Sequence, residues 1–436
     1  HDLTPSLTVQ LDRGAISAIA TDAGTRTSHV AILARSLGLP AVVGLRDATI
    51  QLRAGDRVIL DGSLGVLIPN PTEAQIAAYA ERAVRDASDD AAMRAIATAE
   101  PVTLDGVRIT LRANVDLPDE AEAAASSGAE GVGLMRTEFL AVGRATMPDE
   151  DEQFRAYHRV VSAFAGKPVV IRTFDVGGDK LPIGVYTTEA NPFLGWRAIR
   201  VCLDEPELFK TQLRALLRAA AFGDVRIMLP LIVTLDEVRA ARRLLLEASD
   251  ELTARGVEHR SDVPLGVMVE TPAAAIGADI LAPEVAFFSI GTNDLVQYTL
   301  AVDRGNVNLA ERFTPLHPSV LRLIRRTVQA GTAAGLDVAV CGEMASQPLM
   351  AFALIGLGVR QLSVAAQSVA LVKRVIRGIS VDVARAASES AMLAGTAEEV
   401  EKVLRAAVQS AFGDAPFLRY GLPVKGDLDM FGDAGA

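Results

Sequence analysis

Three arginines stand at or just past the ends of apolar runs, with glycines beside them. Arg136 follows Gly131-Val-Gly-Leu-Met, Arg172 follows Val169-Val-Ile, and Arg304 lies in Ala301-Val-Asp-Arg304-Gly-Asn306. Packed arginines repel one another unless an anion joins them. The planar fork of arginine suits phosphate or carboxylate better than the point charge of lysine does. Scattered surface ion pairs are the plainer alternative. Two carboxylates end similar runs, Glu270 after Gly266-Val-Met-Val and Asp294 in Gly291-Thr-Asn-Asp294. Carboxylates beside an anionic ligand are costly unless a cation lies between them, and hard oxygen ligands favour Mg2+. Ion pairing to the arginines is their alternative role. Cys341 ends Val338-Ala-Val. It is either a small buried hydrophobe or a thiol that moves a proton. His29 stands apart in Asp22-Ala-Gly-Thr-Arg-Thr-Ser-His29. The spacing of Val30, Ile32, Leu33 and Leu37 predicts a helix over 28–38, which puts His29 in its first turn. There the helix dipole favours an anion, and a neutral imidazole is a nucleophile near pH 7. The plain reading is a polar residue on an exposed helix end.

These groups act together only if the chain brings strand ends to one face. Candidate strands are 107–115, 131–136, 168–174, 225–231, 264–270, 285–291, 337–341 and 361–365, separated by helical stretches such as 236–255, 319–334 and 347–355. Most are unbroken runs of Val, Ile, Leu and Met, as strands buried on both faces should be. Eight strand–helix units predict an α/β fold, a (β/α)8 TIM barrel over 101–412, with functional residues at the C-terminal strand ends. A doubly wound open sheet is the alternative. Before the barrel, residues 1–71 read as a small α/β domain. It has strands at 15–21 and 41–44, then a hairpin around Asp61-Gly62-Ser63. Residues 72–100 read as a linker helix, 397–412 as a last helix, and 413–436 as a loose tail.

The 436 residues suffice for two or three domains. Half of the chain is apolar and its net charge is −11, which argues against nucleic acid and anionic membrane surfaces as partners. No apolar run is long enough to span a bilayer, so no membrane insertion is expected. Two cysteines far apart, Cys202 and Cys341, point to a reducing, cytoplasmic setting. The remaining histidines, His1, His158, His259 and His317, show no metal-ligand spacing. A site for a phosphate-bearing carboxylate in one domain, with a nucleophilic histidine in another, suggests phosphoryl transfer from a small molecule to the protein.

The same residues carry a resemblance. Arg26-Thr-Ser-His29, Glu130-Gly-Val-Gly-Leu-Met-Arg-Thr-Glu-Phe139 and Arg172-Thr-Phe-Asp-Val-Gly-Gly-Asp-Lys180 resemble enzyme I of the bacterial phosphoenolpyruvate-dependent sugar phosphotransferase system. So do Asn191-Pro-Phe-Leu-Gly-Trp-Arg197, Val267-Met-Val-Glu-Thr-Pro272, Phe287-Phe-Ser-Ile-Gly-Thr-Asn-Asp294 with its continuation to Asn306, and Cys341-Gly-Glu-Met344. The resemblance implies that His29 accepts the phosphoryl group of phosphoenolpyruvate. It implies that Arg136, Arg172, Asn293, Asp294 and Arg304 bind that substrate, with Arg197 nearby. Glu270 and Asp294 would hold Mg2+, and Cys341 would protonate the enolate to pyruvate. It further implies a homodimer through the barrel and a swivelling phosphohistidine domain that meets a histidine phosphocarrier protein. The first strands of that domain and its carrier-docking subdomain are absent from this sequence. Onward transfer is therefore expected to be severely impaired.

Three other readings compete. A relative of pyruvate phosphate dikinase or phosphoenolpyruvate synthase would share both domains and need an ATP site. A nitrogen-regulatory enzyme I paralogue would share the chemistry. A regulatory module would bind phosphoenolpyruvate without turnover, and would need neither a nucleophile nor an acid.

Overall fold

The computed structural model describes residues 16–23, 30, 34, 39–62, 64–141, 144, 146–177, 189–304 and 306–413, with backbone alone at 84–95, 307 and 310. The chain divides into two units, His1–Ala92 and Met93–Ala436. His29 lies outside the described residues. Of the expected helix over 28–38 only Val30 and Ala34 are described, both helical and buried.

In the first unit β1 (Ile19–Ala20) pairs in parallel with β2 (Ala41–Val42), and β3 (Val58–Asp61) pairs antiparallel with β4 (Val66–Pro69). Ile19, Val30 and Ala34 form its small core. Thr49 donates its backbone N–H to Asp22 Oδ1 at 3.2 Å, and its hydroxyl to Oδ2, just before the histidine segment. Helix Glu73–Ala97 runs through the division of the units.

The second unit is a closed parallel barrel of eight strands. They are β5 (Thr110–Val115), β6 (Val132–Met135), β7 (Val169–Arg172), β8 (Val225–Leu229), β9 (Leu265–Val269), β10 (Phe287–Ile290), β11 (Asp337–Val340) and β12 (Gln361–Ala365). Closure comes from β12 pairing with β5, with Gln361 opposite Thr110 and Leu362 opposite Leu111. The strands lie between two apolar layers, which is why they read as unbroken apolar runs. Leu111, Ala113 and Val115 face the ring of helices, whereas Leu134, Val170, Met228, Met268, Phe287 and Cys341 form a separate core. The first strand starts later than expected. Val107 is held in a turn by Thr103, whose N–H donates to Val107 O at 2.9 Å, and Val102 bridges to Arg108 before the strand begins.

The helical ring has its own electrostatic clasp. Glu150 opens helix Glu150–Ala163, behind the Asp149 cap. It accepts Arg214 Nε at 2.8 Å, Arg218 Nη1 at 2.7 Å and Arg255 Nη1 at 2.8 Å, which ties three helices together. Burial raises the carboxyl's pKa, but the three guanidiniums outweigh it and hold it at about 2. The E150Q variant is expected to lose about 1–3 kcal/mol of barrel stability at neutral pH. A depressed carboxyl pKa contributes fully above its ordinary value of 4.5 and is lost as pH falls towards about 2. Denaturant titrations of the two proteins should therefore converge in that window. A constant gap down to the acid end would contradict the assignment.

Candidate active site

The C-terminal strand ends carry an ion network that is buried except at its last member, Arg304. Arg172, the last residue of β7, is 8% exposed. Its Nη2 meets Glu138 Oε1 at 2.7 Å and its Nη1 meets Asp175 Oδ2 at 2.9 Å. Asp175 turns its other oxygen to Arg197 Nη2 at 2.6 Å. Arg197 is 3.5 Å from Asp294 Oδ2 and lies over the Phe193 ring. Arg304 Nη1 is 3.6 Å from Asp294 Oδ1. Five charged residues from three segments thus form one chain of contacts, Arg172–Asp175–Arg197–Asp294–Arg304. Local structure sets this up. Gly291 precedes helix Thr292–Leu300, whose first turn carries Asn293 and Asp294. A Cβ on Gly291 would lie 2.8 Å from Glu270 Oε2, so only glycine lets this turn approach the carboxylate.

Glu270 follows β9 and is nearly fully buried, its Oε1 accepting the Leu231 N–H at 2.6 Å. Burial, then the nearby Asp294 and Asp175, push its carboxyl well above the usual range, against the pull of Arg172. Oxygens of Asp175, Glu270 and Asp294 lie within 4.8 Å of one another. Both Asp175 oxygens are taken by arginines, whereas Asp294 Oδ1 is buried and accepts no hydrogen bond. A buried carboxylate oxygen with only Arg304 at 3.6 Å and no hydrogen bond, beside a second crowded carboxylate, is a donor set that fits a hard divalent cation.

Cys341 follows β11 and is buried, with Sγ 3.7 Å from Ile290 O. Burial, with a smaller push from Glu270, raises its thiol to about 11, against the pull of Ser289, Arg172 and Arg136. The thiol therefore keeps its proton at neutral pH. Asn293 is paired at its amide, accepting the Glu343 N–H at 3.1 Å and donating to Glu343 Oε1 at 3.3 Å. Arg136 stands apart from the ion network, half-exposed and paired with Asp116 at 2.9 Å.

Of the residues singled out in the sequence, Arg172, Arg197, Asp294 and Arg304 are joined directly, and Glu270 lies against Asp294 and Asp175. Asp175, Glu138 and Tyr298 were not singled out. Asp175 was visible as the fourth residue of Arg172-Thr-Phe-Asp, and Glu138 as the residue before Phe139. Nothing in their spacing said which arginine each would hold. Tyr298 donates its hydroxyl to Phe193 O at 2.5 Å and receives Arg197 Nη1 at 3.5 Å, which fixes the loop bearing Arg197.

Comparison with known proteins bears on the same segments. Residues 1–65 match the model for the mobile domain of phosphoenolpyruvate-utilising enzymes, and residues 90–381 match that for their phosphoenolpyruvate-binding domain. The phosphoenolpyruvate-protein phosphotransferase of Bacillus sp. (strain S) is 47% identical over 92% of this chain and 69% of its own length. That of Staphylococcus carnosus (strain TM300) is 45% identical over 92% of this chain and 70% of its own. The chain belongs to the phosphoenolpyruvate-protein phosphotransferase family. In this phosphotransferase the family's binding-domain match covers all eight barrel strands, and every member of the ion network described above falls inside it. Among the described residues no helix is long and apolar enough to cross a membrane.

Proposed function

We propose that this phosphotransferase moves the phosphoryl group of phosphoenolpyruvate to its own His29 and releases pyruvate. The observation that carries this reading is the continuous network Arg172–Asp175–Arg197–Asp294–Arg304 at the barrel's C-terminal face, with a protonated thiol nearby. Arg172, Arg197 and Arg304 neutralise the substrate's phosphate and carboxylate, with Arg136 completing the set from its exposed position. Asn293 and Asp294 orient the substrate from the first turn of their helix. Glu270 and Asp294 would hold Mg2+, which would supply a hard positive charge to offset the charge of the substrate.

Phosphoryl transfer asks for charge neutralisation and in-line positioning more than for covalent help. The P–O bond to the enol oxygen breaks as an N–P bond forms on the neutral imidazole of His29. The electron pair left on the enol oxygen makes an enolate. Cys341 gives its proton to the methylene carbon, which yields pyruvate, and the thiolate takes a proton back from solvent. A C341A variant should slow pyruvate formation by about 10²-fold, the scale of a lost general acid, with phosphoenolpyruvate affinity unchanged. An unaltered rate in rapid-quench measurements would leave Cys341 as packing alone.

The reading assigns residues 1–71 to a swivelling phosphohistidine domain, 72–100 to a linker and 101–412 to substrate binding. It takes the parent protein to be a cytoplasmic homodimer, paired through the barrel and serving a histidine phosphocarrier protein. Intact-protein mass spectrometry tests the core of it. Incubation with phosphoenolpyruvate and Mg2+ should add one acid-labile phosphoryl group per chain. No added mass, from a chain that still binds phosphoenolpyruvate, would contradict the assignment of His29 as acceptor in this chain.

A further inference from the structure

Cys341 lies one residue past the last paired position of β11. The pairing of β11 with β12 ends where Val340 stands opposite Leu362. Beyond that point the Cys341 N–H still donates to Ile290 O of β10 at 3.1 Å, but its carbonyl turns to a side chain. Asn114 on β5 reaches past the intervening β12 and donates Nδ2 to Cys341 O at 3.3 Å. Asn114 belongs to the inward set of β5, because Leu111, Ala113 and Val115 face the helices. Ser363 belongs to the inward set of β12 by the same alternation, between Leu362 and Val364. It is buried, and its hydroxyl donates to Asn114 Oδ1 at 2.6 Å. A Cβ on Gly133 of β6 would collide with Ser363, so the second glycine of Gly131-Val-Gly133 leaves the room this serine needs.

A carbonyl oxygen only accepts, so the Asn114 amide must turn Nδ2 to Cys341, and Oδ1 then needs a donor of its own. Ser363 is that donor. The segment after Cys341 is pinned from the same side. Ser346 Oγ accepts the N–H of Ala365, the residue opposite Asn114 in the β5–β12 register, at 3.0 Å. We propose that Asn114, held by Ser363, is a positioning residue for Cys341. It fixes the peptide that carries the thiol, and so sets the line along which the proton reaches the substrate's methylene carbon. The proposal rests on the reading of Cys341 as the proton donor. It adds a residue two strands away that acts only through the Cys341 backbone.

The test is a double-mutant cycle on the rate of pyruvate formation. Rapid-quench measurements compare the unaltered chain, N114L, C341A and the double variant, with phosphoenolpyruvate affinity taken from calorimetry on each. N114L should slow pyruvate formation by about tenfold, the scale of a slightly misplaced reacting group, with affinity unchanged. In the C341A background the same substitution should change the rate by less than about twofold, because no thiol is left to aim. S363A keeps the Nδ2 contact and removes only the group that holds the amide. It should slow the reaction by about threefold, again only when Cys341 is present, and it carries the test should N114L fold poorly. An Asn114 that serves the fold alone would slow both backgrounds equally, and that result would overturn the proposal. So would an affinity that falls in step with the rate in N114L, which would make Asn114 a substrate contact. No pyruvate from the unaltered chain, or a C341A as fast as it, would instead end the reading of Cys341 as proton donor, and the role of Asn114 with it.

Discussion

A chain carrying His29→Ala should bind phosphoenolpyruvate as before and take up no phosphoryl group. In the proposed reaction the binding groups lie in the barrel and the nucleophile in the other unit, so the two properties should separate cleanly. Losing a nucleophile outright costs on the order of 10⁶-fold, which puts residual transfer below detection. The other described histidines are engaged structurally. His158 packs edge-on against Phe222 and beside Phe154, with ring centroids at 4.6 and 5.5 Å. His259 bonds Ser249 Oγ at 3.0 Å and Val257 O at 2.9 Å. His317 accepts the Ser319 N–H at 3.2 Å at the start of its helix. Calorimetry with phosphoenolpyruvate and intact mass after incubation are the paired measurements. An acid-labile phosphoryl group on H29A would place the acceptor elsewhere and end the proposed mechanism.

The barrel was legible because burial on both faces leaves a plain mark in sequence. Runs such as Val132–Met135 and Leu265–Val269 have no polar face to alternate with, and their strand ends could be read off directly. The start of β5 was less legible, because Val107 is apolar but its position is set by Thr103 across a turn. Among the site residues, Arg172 and Glu270 could be placed at strand ends from the barrel topology. Arg197 came only with the resemblance, and Arg136, expected to converge with Arg172 and Arg304, stands apart with Asp116. The bridging role of Asp175 could not be read from the topology. It depends on the segment bearing Arg197 folding back against β7, where Gly177 and Arg197 form an isolated bridge.

Arg172 carries the largest expected effect within the barrel. It is the one arginine of the set whose guanidinium faces three carboxylates: it is bonded to Glu138 and Asp175, with Glu270 in Coulombic reach. Burial works against its charge, yet Glu138, Asp175 and Glu270 together hold the guanidinium firmly protonated. An R172M substitution removes that charge where the transferring phosphoryl group needs it. It also leaves Asp175 with only Arg197 as a direct partner. A fall of about 10³-fold in the rate of phosphorylation is expected, on the scale of a lost transition-state clamp. Uncompensated buried carboxylates should also lower stability by about 3–5 kcal/mol. The two effects are separable with R172K, which restores a cation to Glu138 and Asp175 but not the two-pronged grip. R172K should recover most of the melting temperature and little of the rate. If R172K instead recovered rate and stability together, Arg172 would be a structural ion-pair residue. The substrate's anionic groups would then be held by Arg136, Arg197 and Arg304.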